Sequence, residues 1–192
     1  MELFDNHAHL DDEKFDSDRE EIIEKIYSQG VSFISAGYSL EGSKKAIELS
    51  KKYDFIYATC GISPNDIPQT EEELWKMLEK IEILAKENEK VLAIGEIGLD
   101  YYWEKDEKMR ELQRRAFLEQ INIANRLELP IVIHTREAIM DTLKILKEHD
   151  SKNKGVFHCC PLNRELVKEG LKLRILYIIC RTNNFQKFKK CI

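Results

Sequence analysis

Apolar positions along the chain follow two spacings. Short runs rich in β-branched residues, such as VSFISAG, FIYATCGI and IVIHT, alternate with longer stretches in which apolar residues recur every three or four positions. The first spacing predicts strands and the second amphipathic helices. LFDNHAHL reads as a strand, followed by a helix from Asp16 to Gln29 in which Ile22, Ile23, Ile26 and Tyr27 recur at helical spacing and Gly30 ends the run. The same cycle continues: strand VSFISAG and helix Glu41 to Tyr53; strand FIYATCGI and helix Glu71 to Glu87; strand VLAIGEIGLD and helix Asp106 to Leu129; strand IVIHT and helix Glu137 to His149; strand GVFHCC and helix Asn163 to Leu173. Strand and helix thus alternate at intervals of roughly thirty residues, which predicts an α/β protein with a parallel sheet covered by helices. A doubly wound sheet and a TIM-type (β/α)8 barrel both fit that alternation.

The polar residues inside the strands separate the two architectures. His7 and His9, Glu96, His134 and His158 each lie at or near the C-terminal end of a different predicted strand. Side chains drawn from several strand ends meet in a barrel, whose site is built around one mouth, whereas an open sheet gathers its ligands at one switch point. No strand is followed by G-x-G-x-x-G or G-x-x-x-x-G-K-[ST], so dinucleotide and P-loop chemistry have no footing. The expected fold is a barrel, incomplete at about six βα units.

With 192 residues, 43% hydrophobic and 34% charged, the chain is long enough for one domain with a sizeable core. No run approaches the length of a membrane span, and the acidic N-terminus does not read as a signal peptide, so the expected location is cytoplasmic. Five cysteines without a C-x-x-C pair predict reduced, buried thiols rather than a disulfide framework. A net charge of −5 argues against a protein that coats polyanions, so a phosphate substrate would need local cations such as metal ions. No membrane partner and no obligate protein partner is expected.

A lone strand histidine is more often a hydrogen-bonded structural residue than a ligand, and His149, in the charged helix end KILKEHD, keeps that reading. Asp5, His7 and His9 form D-x-H-x-H, and in a strand residues two apart face the same side, which would set the two imidazoles side by side. Glu96 is a carboxylate inside the apolar run VLAIGEIGLD, and burying it unpaired would cost several kcal/mol, so it demands a cation or dense hydrogen bonding. Gly95 and Gly98 flank it and imply a close approach to the backbone. Imidazoles and carboxylates together suit a divalent ion, and a carboxylate can bridge two.

The segments DNHAHLD, GEIGLDYYW, QRRAF, PIVIHTREA and GVFHC, in this order, resemble the signature segments of the TatD family of metal-dependent deoxyribonucleases, members of the amidohydrolase-like superfamily of (β/α)8 barrels. The resemblance implies that His7 and His9 bind a first metal, that Glu96 bridges the two metals as the catalytic carboxylate, and that His134 and His158 bind the second. It implies hydrolysis of DNA phosphodiesters, often exonucleolytic, with Mg2+ as the expected ion and Zn2+ or Mn2+ as alternatives. Arg136, two residues beyond His134, is a candidate phosphate contact, with an exposed helix-start residue as the alternative reading. Tyr101, Tyr102 and Trp103 are candidates for stacking on bases, with a packed loop cap as the alternative.

Two departures from the family pattern stand out. Where the family carries G-I-H-P-H, this chain has Gly61-Ile62-Ser63-Pro64-Asn65, so Ser63 replaces a substrate-side histidine and offers only hydrogen bonding. The late E-T-D segment, whose aspartate completes the first metal site, has no counterpart here. The last residues, from Leu171, carry Lys172, Arg174, Arg181, Lys187, Lys189 and Lys190 and no acidic residue. They read either as a basic nucleic-acid arm or as the product of a one-base shift near Leu173 to Arg174. In one codon choice the alternate frame of RILYIICRTNNFQKF reads GFYISFAGPITFKN, which resembles the family's seventh strand. The expected organisation is a hydrolase barrel over 1–173 and an aberrant tail over 174–192, in which LRILYIIC still suits strand pairing. The alternatives to a nuclease are a related hydrolase acting on a small amide, lactone or phosphoester, and an inactive fragment lacking the closing aspartate.

Overall fold

A computed structural model of the chain describes residues 3–159 and 163–178. In chain order it comprises β1 (Leu3–Ala8), α1 (Arg19–Ser28), β2 (Val31–Ser35), α2 (Leu40–Lys52), β3 (Ile56–Cys60), α3 (Glu71–Lys86) and β4 (Val91–Asp100). There follow α4 (Glu107–Leu127), β5 (Ile131–Arg136), α5 (Ile139–Glu148), β6 (Gly155–Phe157), α6 (Arg164–Lys172) and β7 (Ile175–Tyr177). All neighbouring strands are parallel and lie in sequence order, β1 to β7.

The sheet is curled as in a barrel. The strands that lead into His7 and His158 are five places apart, about 24 Å in a flat sheet, yet the two imidazoles stack with ring centroids 4.2 Å apart. Among the described residues β1 pairs only with β2 and β7 only with β6, so the barrel is open.

Local chemistry explains the helices. Ser39, Thr70, Asp106 and Asn163 each accept a hydrogen bond from a first-turn amide of the following helix, and Glu71, Glu72 and Glu73 place negative charge at the N-terminus of α3. The main core lies between sheet and helices and includes Leu74, Leu78, Ile81, Ile94, Ile97, Phe117 and Phe157, all buried. A smaller cluster of Leu10, Ile23, Phe33 and Ile56 seats α1 against β2 and β3. The close approach expected at the β4 glycines is made by β5. A β-carbon on Gly98 (φ +142°) would strike the His134 carbonyl oxygen, and one on Gly95 would meet Val132.

The structure revises some boundaries. β1 ends at Ala8, so His9 follows the strand, and β6 ends at Phe157, so His158 and Cys159 occupy a turn. A single 3-10 turn, Glu13–Phe15, precedes α1. Part of LRILYIIC does form a strand, with Ile175 opposite Gly155 and Tyr177 opposite Phe157. The rest of the tail, residues 179–192, lies outside the described residues. The expectation of reduced thiols holds for Cys60, whose pKa burial pushes up to about 12. It fails for Cys159, which is disulfide-bonded. Without a C-x-x-C pair, spacing in the sequence carries no sign of that bond. No helix among the described residues is long and apolar enough to cross a membrane.

Candidate metal centre

Glu96 is the hub of the site. β4 carries it into the curled face, where its amide donates to the Gly37 carbonyl at 2.6 Å. Each carboxylate oxygen faces one pair of imidazoles. Oε1 lies 2.9 Å from His134 Nδ1 and 2.9 Å from His158 Nε2; Oε2 lies 3.4 Å from His7 Nε2 and 3.9 Å from His9 Nε2. Within each pair the facing nitrogens are 3.1 Å apart. Two groups result, His7–His9–Glu96 and Glu96–His134–His158, in each of which the ligand atoms lie within 4.8 Å of one another. Two nitrogens bonded at about 2.1 Å to one ion, at octahedral or tetrahedral angles, stand about 3.0 to 3.4 Å apart. The donor set therefore fits a divalent ion in each group, with Glu96 able to serve both.

The imidazole rings of His7 and His9 meet edge to face, at 86° with centroids 4.8 Å apart, rather than side by side. The cause is the irregular register of β1 between Asp5 and Ala8, after which His9 leaves the strand. Asp5 is turned to the local backbone, accepting from the His7 amide at 3.1 Å.

The electrostatics of the centre follow from burial and these contacts. Burial opposes ionisation of Glu96, but hydrogen bonds from His134, His158 and His7 outweigh it and hold the carboxyl well below the usual range. Burial likewise opposes a charge on His134, yet its bonds to Asp100 and Glu96 raise its pKa to about 9. Burial dominates at His9 and His158, whose pKa values fall.

A second carboxylate, Asp100, was not marked by sequence reasoning. It ends β4, is 1% exposed, and lies 3.1 Å from His134 Nε2 through Oδ2. Asp100, like Glu96, is a buried carboxylate in the apolar strand VLAIGEIGLD. Asp66, whose pKa burial raises, is a further acidic neighbour that spacing did not reveal.

The remaining candidates fall in different places. Arg136 closes β5 opposite Asp100, and its guanidinium lies 3.7 Å above the Tyr102 ring and 5.5 Å from that of Trp103. Tyr102 is 40% and Trp103 65% exposed, so both present aromatic surface to solvent. Tyr101 has the packed role instead. Its hydroxyl donates to Asp141 at 2.7 Å and accepts from Arg114 at 2.9 Å, and Arg110 covers its ring. Ser63 is buried and donates its hydroxyl to Asp66 at 2.6 Å.

Known proteins resemble this chain in sequence and fold. The family model described as TatD related DNase matches residues 4–191. The "uncharacterized metal-dependent hydrolase YabD" of Bacillus subtilis is 38% identical over 191 residues, 98% of this chain and 72% of its own length. The "3'-5' ssDNA/RNA exonuclease TatD" of Cronobacter sakazakii is 33% identical over 184 residues, 93% of this chain and 68% of its own length. The crystal structure of the TatD homologue YJJV from Escherichia coli superposes with a TM-score of 0.81 at 26% identity, covering 91% of this chain and 66% of that one. The chain thus spans about two thirds to three quarters of the length of these relatives. The family model spans nearly the whole chain and the curled parallel sheet superposes on a TatD homologue, so the chain belongs to the TatD family of metal-dependent hydrolases.

Proposed function

We propose that this protein hydrolyses phosphodiester bonds in DNA, removing nucleotides from strand ends at the Glu96 centre. The observation that carries the reading is one buried carboxylate shared between two imidazole pairs, with Arg136 at the end of the strand that bears His134. His7, His9 and Glu96 would hold one divalent ion, and Glu96, His134 and His158 a second, with Mg2+ expected and Mn2+ or Zn2+ as substitutes. When bound, such ions supply a water with its pKa lowered toward about 7 and positive charge against the phosphate oxygens.

The chain's own residues supply recognition. Arg136 is exposed and lies over the Tyr102 ring, and the fork of N–H donors on a guanidinium suits a phosphate. The exposed faces of Tyr102 and Trp103 suit an unpaired base, and such stacking is worth about 1–3 kcal/mol per base. A single-stranded end meets both demands, and the Cronobacter relative's name points the same way. Ser63 and Tyr101 act from behind this surface, Ser63 by holding Asp66 and Tyr101 by anchoring the loop.

Nucleotide release from an end-labelled single-stranded oligonucleotide in the presence of Mg2+ tests the proposal. Glu96→Ala is expected to lower the rate by about 10²-fold or more, and EDTA to abolish it. Metal uptake without nucleotide release under any of the three ions would overturn the nuclease reading and favour a small-molecule substrate.

A further inference from the structure

Of the four clustered imidazoles, His134 alone has its second ring nitrogen held by a described residue: the Nδ1 atoms of His7, His9 and His158 are buried without a hydrogen-bond partner there, whereas His134 Nε2 faces Asp100 Oδ2 at 3.1 Å. Asp100 is itself firmly seated. Its amide donates to Gln113 Oε1 at 3.1 Å, and Gln113 Nε2 donates to the Pro64 carbonyl at 3.1 Å. Oδ2 also accepts from Asn65 Nδ2 at 3.3 Å, and Oδ1 accepts the backbone amides of Tyr102 at 2.9 Å and Trp103 at 3.1 Å.

We propose that Asp100 is the positioning residue of this centre, fixing with one oxygen which nitrogen of His134 is offered to a metal and with the other the loop that carries Tyr102 and Trp103. The inference rests on the reading of the histidine cluster as a metal centre. An ionised carboxylate only accepts hydrogen bonds, so Asp100 keeps a hydrogen on Nε2, and Nδ1, which shares its own hydrogen with Glu96 in the metal-free protein, is the nitrogen left to be offered to a metal. Partners of this kind orient metal-binding histidines, and their loss commonly lowers metal affinity by about 10–100-fold. Here the same side chain also holds two consecutive amides of the aromatic loop, so the metal-facing imidazole and the exposed Tyr102–Trp103 surface share one anchor.

Asp100→Asn separates this role from simple packing. An amide has one acceptor, and the two backbone N–H groups of the loop claim it. The NH2 group is then set against His134 Nε2 and forces the ring hydrogen onto Nδ1, the metal-facing atom. Titration with Mn2+ should show one site weakened by about 10–100-fold and the other unchanged, and long-range 1H–15N spectra of the metal-free histidine rings should report a hydrogen held on His134 Nε2 in the parent protein and a hydrogen on Nδ1 alone in the variant. Asp100→Ala should in addition shift the emission of Trp103 by freeing its loop. Unchanged Mn2+ affinity in Asp100→Asn would overturn the proposal. So would a parent spectrum showing His134 protonated on Nδ1 alone, a measurement that stands even if neither variant folds. Neither readout involves nucleic acid, so a failure of the nuclease assay leaves the role of Asp100 to be decided by them.

Discussion

At Glu96 and at Asp100 burial raises the cost of a negative charge, and in both cases donors reverse the balance: imidazoles at Glu96, and the His134 imidazole, the Trp103 amide and the Asn65 side chain at Asp100. Backbone acceptors also hold a cation outside the histidine cluster. Lys90 sends its ammonium into the end of α2, donating to the carbonyls of Ser50 at 2.7 Å and Tyr53 at 2.8 Å. Removing it leaves partly buried acceptors unmet, so Lys90→Met should cost about 1–2 kcal/mol, read as a lower midpoint in urea unfolding; an unchanged midpoint would refute this account. What sequence could reveal at this scale was the anomaly of a residue in its run, and Glu96 was found that way. What it could not reveal was which partner resolves the anomaly. The aromatic trio shows the limit, since Tyr101, Tyr102 and Trp103 are adjacent in the chain, yet one is packed between α4 and α5 and the others face solvent.

Among the elements, helices were legible to within a few residues because capping side chains and apolar spacing are local signals. Strand ends were less so. β6 was expected to run through His158 and Cys159, but after the His158 amide bonds the Ile133 carbonyl at 3.0 Å the chain turns, with Cys159 at φ +43°. The contact between α5 and α6 carries its own pH dependence. Lys147 and Lys172 lie 2.7 and 2.6 Å from Glu169 and depress its pKa to about 2, from an ordinary 4.5. The folded form binds this proton less readily than the unfolded form, so the stabilisation is present above about pH 4.5 and is lost as pH falls through about 2. Thermal melts across that window should converge for the parent chain and Glu169→Gln at the acid end and separate above it; parallel curves throughout would show that the two lysines contribute nothing through this carboxylate.

Over the whole molecule, the open sheet leaves two strand edges without partners among the described residues, and apolar side chains stand exposed beside them: Leu3 and Phe4 on β1 at 49% and 51%, Leu176 on β7 at 70%. Unpaired edges with apolar flanks invite pairing between chains, and a lysine there opposes it. The parent chain should self-associate as concentration rises, and Leu176→Lys should reduce that in sedimentation velocity; equal association by both would place the contact elsewhere. Periodicity in the sequence determined the alternation of strand and helix, the parallel sheet and the strand ends that bear histidine and glutamate, because spacing sets the face a side chain takes within its own element. Tertiary structure decided what those faces meet. The curl of the sheet closes the gap between His7 and His158, the pairing of β4 with β5 sets Arg136 beside Tyr102 and Asp100 against His134, and distances between residues remote in the chain depend on that curvature and register, which no local spacing encodes.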